Sequence, residues 1–248
     1  DKTGTLTQNK MTVTDAYASD TTLLATAMAL CSDAQLADGQ AVGEPTECAL
    51  VTYAAGLGLL KPALEHEKPR VAEAPFDSMR KMMSTVHQEN GVFVQYTKGA
   101  PDEVLRRCTH YLQDGNVLAM DDAAQKRILD ENKRMADGAL RVLGAAMRTY
   151  RAMPEDVSPE ALECELTFVG LCGMIDPARP EVKTAIEEAK NAGIQTVMIT
   201  GDHRDTAVAI AMQLGIITSP DEAITGADLN LISDEQFERD ILHYRVYA

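Results

Sequence analysis

The 248 residues are 45% apolar and carry a formal charge of −15, enough for one large or two modest domains with a real core. The acidic balance argues against nucleic acids and anionic membrane surfaces as partners, since both select clustered Lys and Arg. No apolar run approaches the ~18 residues a bilayer crossing needs, and no secretory leader is expected. Cys31, Cys48, Cys108, Cys164 and Cys172 are odd in number and form no CxxC pair, which reads as reduced core thiols in a cytosolic setting.

In chain order, Met11–Tyr17 alternates as a strand, and Thr21–Cys31 is an apolar helix capped by Ser19 or Asp20. Ala37–Gly43 is expected to be a loop. Pro45 opens a helix to about Ala55, stopped by Gly56 and Gly58. Arg70–Pro75 is extended. Met82–His87 and Val92–Lys98 flank Asn90-Gly91, a hairpin signal. Pro101 opens a short helix to Cys108, and Asp114-Gly115 marks a second hairpin turn. Asp121 caps a long polar helix reaching about Asp137. Arg141–Tyr150 is a strand, Met153–Ala161 a loop, and Leu166–Ile175 an apolar strand. Beyond Asp176 the texture turns to βα alternation. Pro180–Ala192 is a helix ending at Gly193, Ile194–Ile199 a short buried strand, and Thr206–Leu214 a helix. Ser233–His243 is a helix with a Ser233-to-Gln236 capping box, and Arg245–Ala248 begins a strand. The predicted fold class is α/β, with a middle segment of antiparallel α+β texture inserted into it between Asp1 and Asp176.

The opening Asp1-Lys2-Thr3-Gly4-Thr5-Leu6-Thr7 carries the first chemistry. A carboxylate accepts a phosphoryl group only when the incoming charge is positioned and neutralised. Gly4 lets backbone N–H groups close on phosphate oxygens, Thr3 and Thr5 add hydroxyls, and Lys2 adds a cation. A plain polar loop capped by Asp is the alternative. Thr200-Gly201-Asp202 follows a strand that ends at Ile199, where open α/β sheets bind ligands, or it is a glycine turn with Asp202 as a cap. In Phe76-Asp77-Ser78-Met79-Arg80-Lys81 an aromatic ring precedes two cations, which suits stacking on a base beside phosphates as well as a core Phe with solvated cations. Lys98-Gly99-Ala100-Pro101-Asp102 ends a strand, where Lys98 faces a pocket or solvent and Gly99 permits a ligand to approach the backbone. No GxxxxGK[ST] loop and no metal-ligand spacing of His and Cys occurs.

Asp1-Lys2-Thr3-Gly4-Thr5-Leu6-Thr7 resembles the phosphorylation signature of P-type cation-transport ATPases, and the further motifs match the calcium-transporting branch best. The resemblance implies an incomplete haloacid-dehalogenase-like Rossmannoid phosphorylation domain (residues 1–10 and 176–248), with an inserted α+β nucleotide-binding domain (residues 11–175). It implies ATP and Mg²⁺, with Asp1 the acceptor and Asp1 and the Thr3 carbonyl holding the metal. Lys2, Thr200, Gly201 and Asp202 then surround the phosphoryl group. Phe76 takes the adenine-stacking position, with Arg80 and Lys81 beside it. Lys98 and Gly99 match a KGAPE-type segment in which Asp102 replaces Glu. Glu47, in Gly43-Glu44-Pro45-Thr46-Glu47, matches the acid that bonds the adenine amino group. Arg141 matches an arginine reaching the phosphates. Asp176-Pro177-Ala178-Arg179 resembles a DPPR hinge, where Asp176 and Arg179 contact the nucleotide region and Ala178 replaces a Pro.

The implied parent is an integral plasma-membrane ion pump, with this segment facing the cytoplasm and working with actuator and membrane domains that hold the transported cation. A chain that begins on its own nucleophile reads as an excised piece of that parent. A GDGxND motif and a downstream Lys do not follow Thr200, so the piece is expected to bind ATP without efficient turnover. An ATP-binding module alone, or a soluble dehalogenase-type phosphatase, are the alternatives. Thr3 stands where such a phosphatase carries its second Asp.

Overall fold

A computed structural model describes residues 1–37 and 39–248. The chain forms two compact units, one of residues 11–136 and 140–175, the other of residues 1–10, 137–139 and 176–248.

The larger unit is built on one sheet. Its strands are β1 (Thr12–Ala18), β4 (Arg70–Asp77), β5 (Met82–Glu89), β6 (Val92–Gly99), β7 (Cys108–Gln113), β8 (Asn116–Ala119), β9 (Arg141–Tyr150) and β10 (Leu166–Ile175), while β2 (Gln35–Ala37) and β3 (Gln40–Val42) form a separate hairpin. The order is β4-β5-β6-β9-β10-β7-β8, antiparallel except for β7 beside β10. One long edge of β10 is shared: Leu166–Phe168 pair with β7 and Gly170–Ile175 with β1. Its helices are α1 (Thr21–Leu30), α2 (Pro45–Gly56), α3 (Lys61–Glu67), α4 (Pro101–Arg106), α5 (Asp122–Asp137) and α6 (Pro159–Leu162).

Strand alternation sends successive side chains to opposite faces, and both faces are covered. Met83, Ala145 and Cys172 point into a core with α1 and α2, while their neighbours Met82, Ala146 and Leu171 join a second core with α4 and α5. That explains why β10 reads as an unbroken apolar run. Helix α1 is sandwiched and apolar all round, with Leu24 to Leu30 buried; the Asp20 carboxylate accepts from the Leu23 N–H at 2.9 Å and sets its start. Each fully buried Leu there contributes about 1.5–3 kcal/mol. Helix α5 instead buries one stripe, Ala124, Ile128 and Met135, and Asp121 accepts from the Ala124 N–H.

Both expected hairpin turns form, Asn90-Gly91 and Asp114-Gly115, with positive φ at both central residues. The loop expected over Ala37–Gly43 is instead largely the β2–β3 hairpin; Asp38, within it, lies outside the described residues. Helix α3 and the short α6 occupy stretches where no helix was expected. All five cysteines are free, and burial pushes the Cys108 and Cys172 thiols up to about 12.

The smaller unit holds α7 (Pro180–Asn191), β11 (Met198–Ile199), α8 (Arg204–Leu214), β12 (Ala223–Ile224), α9 (Gly226–Leu229), α10 (Asp234–Asp240) and β13 (Val246–Tyr247). Its three strands run parallel in the order β11-β13-β12 over a core of Met198, Ala207, Val208, Ala211, Ile217 and Val246. The buried strand expected over Ile194–Ile199 is corrected to two residues. Met198 is buried, but Ile194, which precedes the strand, and Ile199 are 62% and 61% exposed, and β11 is an edge of its sheet. Helix α10 begins at a Ser233 cap that accepts from the Gln236 N–H.

Candidate functional site

A cleft of about 590 Å³ opens in the larger unit. Three strand ends and the start of one helix build it. Phe76 and Lys81 flank the turn from β4 to β5, Lys98 and Gly99 end β6, Arg141 opens β9, and Thr46 and Glu47 lie in the first turn of α2. The cleft thus gathers Glu47, Phe76, Lys81, Lys98, Gly99 and Arg141 out of four scattered stretches.

The β4–β5 turn is set by Asp77. Its carboxylate accepts from the Met79 and Arg80 N–H groups at 2.7 and 3.1 Å, and Lys81 closes the turn at φ +55°. Phe76 is left 64% exposed on the cleft wall. An aromatic that size normally sinks into a core, so its face is available for a flat partner. Arg80 departs from expectation. Its guanidinium pairs with the buried Glu163 carboxylate and donates to the Pro75 carbonyl at 2.7 Å, and it is absent from the cleft lining. The turn thus leaves Lys81 on the cleft and ties Arg80 to Glu163 away from it.

Lys98 and Glu47 form the charged centre. Lys98 Nζ lies 2.5 Å from Glu47 Oε1 and donates to Ser32 Oγ at 2.9 Å; Glu47 Oε2 accepts from the Asp33 and Ala34 N–H groups at 2.8 and 3.0 Å. Burial alone raises the Glu47 pKa, but the Lys98 ammonium and these donors outweigh it and hold the carboxyl below its usual range. The cleft therefore presents an ionised acceptor beside a cation. Arg141 donates to the Thr46 hydroxyl at 2.8 Å, at the amino end of α2.

Two glycines shape the walls. A Cβ on Gly99 would lie 2.5 Å from the Lys81 carbonyl oxygen and from Met82 Cβ. The chain's own backbone therefore requires that glycine, which also lines the cleft. Gly43 sits at φ +150°, with Ala34 2.8 Å from where its Cβ would be; only glycine fits both constraints.

Sequence reasoning missed the support beneath the cleft. The segment Cys31–Ala34 is held by Lys61, which donates to the Ser32 and Ala34 carbonyls at 2.5 and 2.7 Å. Arg70 donates to the Leu30 and Ser32 carbonyls at 3.1 and 2.7 Å and to Asp33 Oδ1 at 2.8 Å. Ser32 Oγ in turn donates to the Met28 carbonyl at the end of α1. Neither cation lies in a recognisable motif, and a fully buried lysine is rare enough that composition points away from it.

The remaining candidates lie in the smaller unit. Lys2–Leu6 is one irregular turn with Gly4 at φ 77°. Asp1 and Thr3 are exposed, and the Thr5 hydroxyl lies 3.5 Å from the Asp1 carboxylate. Lys2 is buried and ion-paired with Asp202, which brings the first loop against the Thr200-Gly201-Asp202 turn. Thr200 Oγ1 accepts from the Asp202 N–H at 3.1 Å. Asp176 and Arg179 hold the first loop from the other flank. Asp176 accepts from the Thr7 hydroxyl at 2.5 Å and the Lys10 N–H at 3.1 Å, and Arg179 donates to the Gly4 carbonyl at 2.9 Å. Both residues thus contact the loop that carries Asp1. Among the described residues no three His, Cys, Asp or Glu side chains gather into a preformed metal cage. Mg²⁺ asks less, one or two carboxylates completed by waters and substrate phosphate, and an exposed Asp1 with the Thr3 carbonyl supplies hard oxygen donors of that kind.

Residues 20–181 match the family described as P-type ATPase, cytoplasmic domain N. Over its full length the chain is similar to calcium-transporting ATPase 1 of Bacillus cereus (45% identical over 262 residues, 29% of that protein). It is also similar to calcium-transporting ATPase 1 of Lactococcus lactis (39% over 264 residues, 30%) and to the calcium-transporting ATPase of Bacillus subtilis (37% over 284 residues, 32%). The chain thus spans about 30% of the length of these curated relatives. Among the described residues no helix is long and apolar enough to cross a membrane.

Proposed function

The chain belongs to the P-type ATPase family, with the cytoplasmic domain N its matched part, and on that premise we propose that the cleft binds ATP and that Asp1 accepts its γ-phosphoryl group within a cation pump, calcium being the cation named for the relatives. The observation that carries the reading is Phe76, exposed on the wall of a cleft whose charged groups are the cations Lys81, Lys98 and Arg141 and the acids Asp33, Glu44 and Glu47. The adenine ring stacks on Phe76. Its exocyclic amino group donates to Glu47, whose carboxylate Lys98 and two backbone N–H groups keep ionised and fixed. Lys81 and Arg141, at the edges of the same cleft, draw in the phosphates.

In the transfer step an Asp1 carboxylate oxygen forms a bond to the γ-phosphorus while the bond to the β,γ-bridging oxygen breaks, and ADP leaves with that electron pair. Lys2 balances charge at the acceptor turn, and Asp202 positions Lys2. The Thr200 hydroxyl and Gly201 N–H offer donors to the transferred oxygens. Asp1 and the Thr3 carbonyl would hold Mg²⁺, which when bound would neutralise phosphate charge. Residues 1–10 with 176–248 serve as the phosphorylation domain and residues 11–175 as the nucleotide domain. The membrane-embedded and actuator parts of the parent are the partners, and this segment faces the cytoplasm.

Titration of the chain with ATP is the test. Phe76→Ala weakens binding by ~1–3 kcal/mol, the scale of a lost base stack; unchanged affinity removes Phe76 from the site. In the parent pump, Asp1→Asn abolishes transfer of the γ-phosphoryl group onto protein while ATP binding persists; retained labelling removes Asp1 as the acceptor.

A further inference from the structure

Lys61 is wholly buried, yet it touches neither of the cleft's charged walls. Its three donors are spent on the Ser32 carbonyl at 2.5 Å, the Ala34 carbonyl at 2.7 Å and the Glu65 carboxylate at 3.4 Å. Burial pulls its pKa below the ordinary lysine range, against the opposing pull of Glu65. A buried ammonium is a poor stabiliser compared with an apolar side chain of the same length, so its presence calls for a geometric reason. The segment it grips supplies one. The same four residues that offer carbonyls downward to Lys61 and Arg70 offer Ser32 Oγ to Lys98 and the Asp33 and Ala34 N–H groups to Glu47 on the upper side. The orientation of one peptide run thereby fixes both members of the Lys98–Glu47 pair.

We infer that Lys61, with Arg70 beside it, is a positioning residue for base recognition: by clamping the Ser32 and Ala34 carbonyls from beneath, it aims the Glu47 carboxylate and the Lys98 ammonium into the cleft. The inference rests on the nucleotide-binding reading of that cleft. It makes Lys61 a determinant of selectivity between purine bases, because the Glu47 acceptor welcomes an exocyclic amino group at adenine C6 and repels the carbonyl oxygen that guanine carries there. The loop sets where that acceptor stands.

The experiment compares wild type, Lys61→Met and Lys68→Met in the full 248-residue chain by calorimetric titration with ATP and with GTP, alongside thermal unfolding and ¹H–¹⁵N spectra without nucleotide. Lys68 is the control; its ammonium pairs with Glu89 at 2.6 Å and does not line the cleft. Lys61→Met weakens ATP binding about tenfold or more and shrinks the preference for ATP over GTP. It also moves the Asp33 and Ala34 amide signals in the ligand-free protein, and Lys68→Met does none of these. A Lys61→Met protein that melts earlier but keeps wild-type ATP affinity, base preference and amide positions shows that the residue only holds the fold, and the inference falls. If Lys61→Met does not fold, Arg70→Gln, which releases the Ser32 carbonyl and Asp33 from a more open position, gives the same readouts, and unchanged base preference there overturns the inference. Absence of ATP binding by the wild type sinks the nucleotide reading and selectivity with it, while the ligand-free amide shifts still decide whether Lys61 sets the Glu47 geometry.

Discussion

Glu47 holds the cleft together by accepting from three donors at once, so its replacement separates stability from recognition. Glu47→Gln leaves the Lys98 ammonium in a largely buried position without its counter-charge. Unfolding free energy should drop toward the lower end of about 3–5 kcal/mol, the usual cost of breaking such a pair. Glu47→Gln with Lys98→Met removes both charges; denaturant titration should then recover at least half of the loss while ATP binding stays weak. If the double variant regains binding, the pair is structural only. A second residue governs acid sensitivity. His87 is buried, with Nδ1 against the Lys68 carbonyl and Nε2 against the Thr85 hydroxyl, and burial lowers its pKa from 6.5 to about 4. The native state thus keeps His87 neutral where the unfolded chain takes up a proton. Its stabilising effect is complete above about pH 6.5 and declines as pH falls toward 4, by up to about 3 kcal/mol. Melting temperatures from pH 7 to 4.5 check this: His87→Gln should flatten the decline, and an equal slope in the variant excludes His87 as its source.

At the scale of the element, the β4–β5 turn carries two recognition groups on one Asx staple. Asp77→Ala removes the acceptor for the Met79 and Arg80 N–H groups, so Phe76 and Lys81 lose their fixed spacing. ATP affinity should fall several-fold in a titration with little change in melting temperature, because Asp77 is exposed. Local chemistry made most of this legible beforehand. Asn90-Gly91 and Asp114-Gly115 announce their hairpins through the positive φ each residue tolerates, and Asp20, Pro45 and Asp121 announce helix starts. What stayed hidden depends on distant partners. Nothing near Gln35–Val42 says that it pairs with itself, and nothing in Ile194–Val197 says that it lacks a neighbour. The site divides in the same way. Phe76, Lys81 and Lys98 converge with Glu47 and Arg141, which only the family resemblance singled out, whereas the face taken by Arg80, the loop braced by Asp176 and Arg179, and the burial of Lys61 follow from tertiary packing alone.

For the whole molecule, the two main cores and the cleft all lie within residues 11–175. A polypeptide of those residues alone should therefore unfold in one cooperative transition and bind ATP within about twofold of the full chain. Calorimetry and titration check both; a broad, non-cooperative melt would show that the remaining residues are needed to close its core. The β1–β10 pairing adds an engineering consequence. Thr12 sits opposite Ile175 in register, so the segment's entry and exit emerge side by side, a single strand spacing of about 5 Å apart. A cassette with adjoining ends can be spliced into a surface loop of a fluorescent host without stretching it, and the occupancy of the cleft then becomes a light signal.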